Sequence, residues 1–115
     1  MSAPDDQCGV NVVLALVGSK WKPTILWRLA EGDHRFAELR RSVGAVSEKV
    51  LAEQLRELER DGLVSRTEYD GFPRRVEYRL TGAGRELDAM LEPVGEWGHR
   101  FAASPQPQAA GAGGA

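Results

Sequence analysis

Three side chains in this 115-residue chain suit nucleophilic or metal chemistry, Cys8, His34 and His99, and they stand far apart in sequence. A structural zinc site takes four Cys/His ligands at close spacing. No metal site is expected, and no cofactor. A single cysteine also excludes an internal disulfide. Val17-Gly18-Ser19-Lys20 lacks the preceding glycine of a phosphate loop, and Thr81-Gly82-Ala83-Gly84 does not fit GxGxxG. HExxH and GxSxG do not occur. The two histidines have no sequence partner that suggests catalysis, so the chain does not read as an enzyme. What remains is the thiol of Cys8. It precedes an apolar segment, and a helix N-terminus there would favour thiolate, whereas Asp5 and Asp6 oppose it. Cys8 therefore has two readings, a small apolar residue at the start of a helix or a sensor of oxidants and electrophiles. In the second, any disulfide joins two chains or takes up a small thiol.

The other available chemistry is ionic. Residues 20–80 carry 13 of the 15 Lys/Arg and 11 of the 17 Asp/Glu, while the whole chain has a formal net charge of −2. The middle is thus the part suited to an anionic partner, with acidic ends. A surplus this small is also what solvated surface charge gives, so the elements that hold these cations decide. No apolar run approaches the roughly 18–20 residues that span a bilayer; the longest is Val12 to Val17. Residues 1–7 lack the order of a secretory signal. A cytoplasmic protein is expected.

Residues 9–17 form an apolar segment of helical length that Gly18 stops. A second helix follows from about Trp21, with Pro23 in its first turn and Ile25, Leu26, Leu29 and Ala30 at helical spacing. His34-Arg35-Phe36 reads as a very short strand or the start of a helix. Phe36, Leu39 and Val43 mark a short third helix, and Gly44-Ala45-Val46 a tight connection. Ser47 is a good N-cap for a long helix from Glu48 to Asp61, stopped by Gly62. Leu51, Leu55 and Leu58 form its buried stripe, which puts Lys49, Glu53, Arg56 and Arg60 on the opposite face. The period then changes to that of strands, Leu63–Tyr69 and Arg75–Leu80, around the turn cluster Asp70-Gly71-Phe72-Pro73. Thr81 caps a last helix to about Phe101, which Pro93 is expected to kink or divide. Residues 1–7 are expected to be a flexible N-terminus, 8–101 the folded domain, and 102–115 a disordered tail.

The order is that of a mainly α fold with a small β-hairpin, a winged helix-turn-helix. Buried leucines would leave the opposite face of the long helix free to enter a major groove. Ser47 and the first turn can bind a phosphate through free N–H groups. Lys49 and Arg56 can reach guanine edges or phosphates, and Glu53 can accept from cytosine or orient its neighbours. Arg74 and Arg75 at the wing, and less directly Arg40 and Arg41, suit backbone phosphates. For each, a solvated charge is the plain alternative. Val10, Val13, Leu14, Leu91, Val94, Trp97 and Phe101 exceed what one such unit covers and are candidates for a homodimer interface, although some must be core. Trp21, Trp27 and Trp97 either pack in the core or line a ligand pocket between dimer helices.

Several stretches carry a more specific resemblance: Gly18-Ser19-Lys20-Trp21; Arg35-Phe36-Ala37-Glu38-Leu39; Ser47-Glu48-Lys49-Val50-Leu51; Leu55 through Val64; Pro73 through Thr81; and Gly84 through Trp97. In this order, over about residues 8–101, the chain resembles the HxlR-type branch of winged-helix bacterial transcriptional regulators, related in architecture to the MarR type. It departs at Pro73-Arg74, where the family often has Pro-Pro, and at Cys8-Gly9, where it often has Cys-Pro. The resemblance implies a dimer in which the terminal helices pair, and includes members that use a cysteine near this position to sense oxidants, quinones or aldehydes. The expectation is a sequence-specific DNA-binding regulator. It would act as a homodimer on a palindromic operator, by steric repression, with an oxidant, electrophile or small molecule as effector. The alternative is a sensor whose winged helix serves mainly as a protein-interaction module.

Overall fold

The computed structural model of the chain describes residues 8–105. The N-terminal segment 1–7 lies outside the described residues, as does the tail from 106 onward. The elements are α1 (Gly9–Val17), α2 (Lys22–Ala30), β1 (His34–Arg35), α3 (Phe36–Val43), α4 (Glu48–Arg60), β2 (Val64–Tyr69), β3 (Arg75–Leu80) and α5 (Gly82–Ala103). This is the expected winged helix-turn-helix. His34-Arg35-Phe36 turns out to supply both alternatives, a two-residue strand and then the first residue of α3.

The three strands form one antiparallel sheet in the order β1-β3-β2. His34 pairs with Tyr78 and Arg35 with Glu77, and β2 pairs with β3 from Val64–Leu80 out to Tyr69–Arg75. β1 therefore backs only the inner part of the hairpin. The outer part projects as a two-stranded ribbon.

The core gathers Ile25, Leu26 and Leu29 of α2, Leu39 of α3, Leu51, Leu55 and Leu58 of α4, and Leu63, Val64 and Leu80 of the sheet. Helix α4 ends in a paired turn: Leu63 N–H donates to Leu58 C=O at 2.9 Å and Gly62 N–H to Glu59 C=O at 3.1 Å. Gly62 takes φ +82°, a conformation that glycine adopts without a Cβ penalty. Leu58 and Leu63, the apolar pair of this motif, are both buried.

Thr81 fastens α5 to that turn. Its Oγ1 donates to Gly62 C=O at 2.7 Å and accepts from Gly84 N–H at 3.0 Å. Gly84 is buried, and a Cβ there would stand 2.1 Å from the Leu63 carbonyl oxygen. Only a glycine lets α5 approach so closely.

Pro93 does not divide α5, which is one helix of 22 residues. Proline removes one N–H and crowds the carbonyl four residues earlier. Pro93 and Ala89 are both exposed, so water can serve the freed carbonyl. The helix also continues two residues past Phe101, through Ala103, on two strong helix formers.

Candidate nucleic-acid interface

Helix α3, the connection at 44–47 and α4 form the helix-turn-helix. Gly44 at φ +113° lets the chain reverse after α3. Arg40 braces the turn: its Nε donates to Val46 C=O at 3.1 Å and its Nη1 meets Glu48 Oε2 at 3.3 Å. Ser47 accepts from Val50 N–H at 3.1 Å, as expected of a cap, and the N–H groups ahead of Val50 have no carbonyl within the helix.

A clasp between α2 and α4 fixes how α4 is rotated. Ser19 Oγ donates to Gln54 Oε1 at 2.7 Å and accepts from Lys22 N–H at 3.2 Å. Lys22 Nζ donates to Glu57 Oε1 at 2.5 Å. Lys22 is buried, 7% exposed. Its ammonium holds the Glu57 carboxyl below the ordinary carboxylate range, first by hydrogen bonding and then by charge. Sequence reading passed over this set because its partners lie 35 residues apart and Lys22 looks like any surface lysine.

With Leu51, Leu55 and Leu58 turned inward, Lys49 and Arg56 are exposed on the far side. Neither forms an ion pair among the described residues. Glu53 is half-buried on the same helix. On the wing, Arg74 lies 3.5 Å from Glu68, and Arg75 lies 3.5 Å from Glu77 with its guanidinium 4.5 Å from the Tyr69 ring centroid. Both arginines stay exposed. Arg66 donates to Glu68 at 2.6 Å, which lowers the Glu68 carboxyl pKa. Arg40 is committed to the turn, whereas Arg41 is exposed and unpaired among the described residues.

The residues named for an interface between copies divide in two. Val10 and Leu14 of α1 and Val94, Trp97 and Phe101 of α5 are 54–61% exposed, and Met90 joins them at 63%. Trp97 and Phe101 stack with centroids 5.1 Å apart. Val13 and Leu91 instead pack partly against the chain's own core. The tryptophans do not converge on one pocket. Trp21 packs on the core, and Trp27 lines a groove of about 680 Å³ between α2 and α5, with Leu91, Glu92 and His99. Trp97 is not among the residues lining that groove. In the same groove burial, then the charge of Glu92, raises the Asp88 carboxyl pKa. His34 Nδ1 sits 2.7 Å from Gly32 C=O, as a turn residue does. Cys8 is the exposed N-cap of α1, and its side chain makes no capping hydrogen bond.

A helix clamped from behind with Lys49 and Arg56 exposed on its outer face, the turn before it and a projecting hairpin define a winged helix-turn-helix DNA-binding protein. Residues 16–106 match the family model described as HxlR-like helix-turn-helix. The chain belongs to that family and is a transcriptional regulator, not an enzyme. It is 44% identical over 92 residues to the HTH-type transcriptional regulator YtfH of Escherichia coli, covering 80% of this chain and 73% of that one. Among solved structures, the redox regulator HypR in its reduced form superposes with TM-score 0.78 at 38% identity, over 84% of this chain and 95% of the other. The reduced form of the regulator YodB from Bacillus subtilis gives TM-score 0.76 at 30% identity, over 92% of this chain and all of the other. No helix of the described residues is long and apolar enough to cross a membrane.

Proposed function

We propose that the protein binds a palindromic operator as a homodimer in the cytoplasm and represses by occupying it. Each copy reads one half-site with α4. The observation that carries this is the two-sidedness of α4: three leucines fully inward, Lys49 and Arg56 outward and unpaired among the described residues. Ser47 and the first turn of α4 take a backbone phosphate, Lys49 and Arg56 take guanine edges or phosphates, and Glu53 orients them or accepts from cytosine. Arg74 and Arg75 add phosphate contacts from the wing by exchanging their hairpin carboxylates for DNA. Arg40 contributes by holding the turn. Val10, Leu14, Val94, Trp97 and Phe101 pair two copies, so that the two reading helices face one duplex. Selection of bound fragments from a random duplex library tests the core of this reading. A palindrome is expected, with log affinity falling steeply in log salt. Arg56→Ala should weaken binding by roughly 5- to 150-fold, the worth of a bidentate guanine contact, with the fold intact by circular dichroism. Unchanged gel-shift affinity for both Arg56→Ala and Lys49→Ala would remove α4 from the reader's role.

Cys8 is proposed as the point of regulation. HypR has been solved in reduced and oxidised forms, and YodB reduced and diamide-treated. The accessible thiol at the start of α1 is supported by those neighbours as an oxidant target. Oxidation joins two chains or caps the sulfur with a small thiol, with the oxidant taking up the electrons. Operator release by diamide from wild type but not from Cys8→Ser protein supports it; equal release from both eliminates the switch. The groove between α2 and α5 favours a second reading, a small-molecule effector there, which Trp27→Ala would desensitise without changing operator affinity.

A further inference from the structure

Among the described residues Phe72 is the most exposed large apolar side chain, open to solvent over its whole surface at the tip of the wing. Neighbouring Gly71 takes φ +133°, which turns the chain sharply at this tip. Because β1 pairs only with Glu77 and Tyr78, the ribbon beyond that point stands clear of the body and carries the ring outward. Nothing in the hairpin uses the ring: it lies outside the core and outside the ring contacts of Tyr69 and Arg75. A cation at the tip would suffice to hold a phosphate, and Arg74 already stands there, so an aromatic ring needs a different counterpart. A side chain of this size stabilises only when it is taken out of water.

In a winged helix docked by α4 the ribbon runs beside the duplex. The apolar surface that a duplex offers to a narrow projecting tip is the space between stacked base pairs. We propose that Phe72 is an apolar wedge, inserted from the minor groove between two neighbouring base pairs beside the half-site read by α4. This rests on the reading of α4 as the major-groove helix. Arg74 and Arg75 follow the wedge on the β3 side and hold phosphates beside it, while Asp70 at the same tip opposes them. Insertion partly unstacks one step and bends the duplex toward the major groove. The cost is lowest at the flexible pyrimidine–purine steps TA and CA/TG, so the ring selects sequence at a position that it does not hydrogen-bond.

The test uses the full chain and the duplex it selects from a random library. Single purines flanking each half-site are replaced by 2-aminopurine, whose fluorescence rises on unstacking. Wild type is expected to raise the signal at one step per half-site and Phe72→Ala at none. Phe72→Ala should bind roughly 5- to 150-fold more weakly, as loss of an aromatic–base stack does, with Phe72→Leu in between. Replacing the flexible step by a stiff A-tract should cost wild type affinity but not the alanine variant. Absence of any fluorescence rise with wild type overturns the wedge, whether or not Phe72→Ala binds more weakly. If Arg56→Ala still abolishes binding in that case, the wedge alone falls. If the wild type selects no duplex, the α4 reading falls with it.

Discussion

At the scale of single residues, the charges of this domain serve two purposes. Lys22 is buried and clasps α4 from behind, whereas Lys49 and Arg56 are exposed on its outer face, the side proposed to meet DNA. Removing one end of the first set is a stability experiment. Lys22→Met should lower stability by about 1.5–3 kcal/mol, the range for a hydrogen bond to a charged group, read as a lower denaturant midpoint at unchanged slope. Operator affinity should fall further than the folded fraction explains, because α4 loses its clasp. The pH dependence follows from the sign of the Glu57 shift. Its carboxyl is held lower when folded than when unfolded, so its stabilisation is complete above the unfolded value near 4.5 and disappears as pH falls through the folded value. The Glu57 side chain is 40% exposed, and water screens much of the effect. Thermal midpoints measured from pH 6 to pH 3 should decline for both proteins, but less steeply for Glu57→Gln. Parallel curves would show that the clasp adds nothing through charge. Glu38 and Glu68 are lowered in the same direction, by the Arg35 N–H and by Arg66, and add to the decline of both proteins, while the raised Asp88 works against it.

At the scale of elements, the helices and the hairpin were legible because their signals are local. Leu51, Leu55 and Leu58 recur at the helical period, Ser47 and Thr81 announce the caps, Gly62 the stop, and Val76, Tyr78 and Leu80 alternate. What the sequence could not show is contact between distant positions. The Lys22–Glu57 clasp is one instance, and Gly84 is another. In isolation Gly84 is a poor residue for the first turn of a helix, and alanine there would gain about 1 kcal/mol of helix propensity. In the fold its missing Cβ lets α5 rest on the Leu63 carbonyl. The two effects oppose each other, and the clash of an added Cβ, 2.1 Å from a backbone oxygen, decides between them. Gly84→Ala is predicted to destabilise by about 1–3 kcal/mol, or a thermal midpoint lower by roughly 5–15 °C. A midpoint raised by the substitution would show that α5 does not sit on that carbonyl. Pro93 taught the reverse lesson: read alone it suggests a break, yet on an exposed face the long helix accommodates it. Of the candidate site, the α4 face was read from periodicity, while Arg40's commitment to the turn and the pairing of Arg74 and Arg75 with hairpin carboxylates depend on side-chain geometry that spacing does not encode.

At the scale of the whole molecule, the described chain is elongated, 60 × 32 × 24 Å, with apolar side chains on α1 and on α5 that its own core does not cover. Paired copies would bury them. Trp97→Glu on the α5 face should convert the protein to a monomer in sedimentation velocity, with helical content retained, and cut operator affinity by the loss of the second half-site. A dimer persisting in the variant would move the interface elsewhere. The seam at Thr81, Gly84 and the end of α4 then has a mechanical meaning. Because α5 is fastened there to the turn that closes α4, in the proposed dimer the helix would act as a lever arm with the paired copies at its fulcrum. An arm of 22 residues is ~33 Å long, so a tilt of ~6° would sweep the far end by ~3.4 Å, one rung of the DNA ladder. A chemical event as small as a modified sulfur near the fulcrum would need no unfolding to throw both readers out of step with their sites. Duplexes with the half-sites spaced one base pair wider or narrower would recover binding of the switched form.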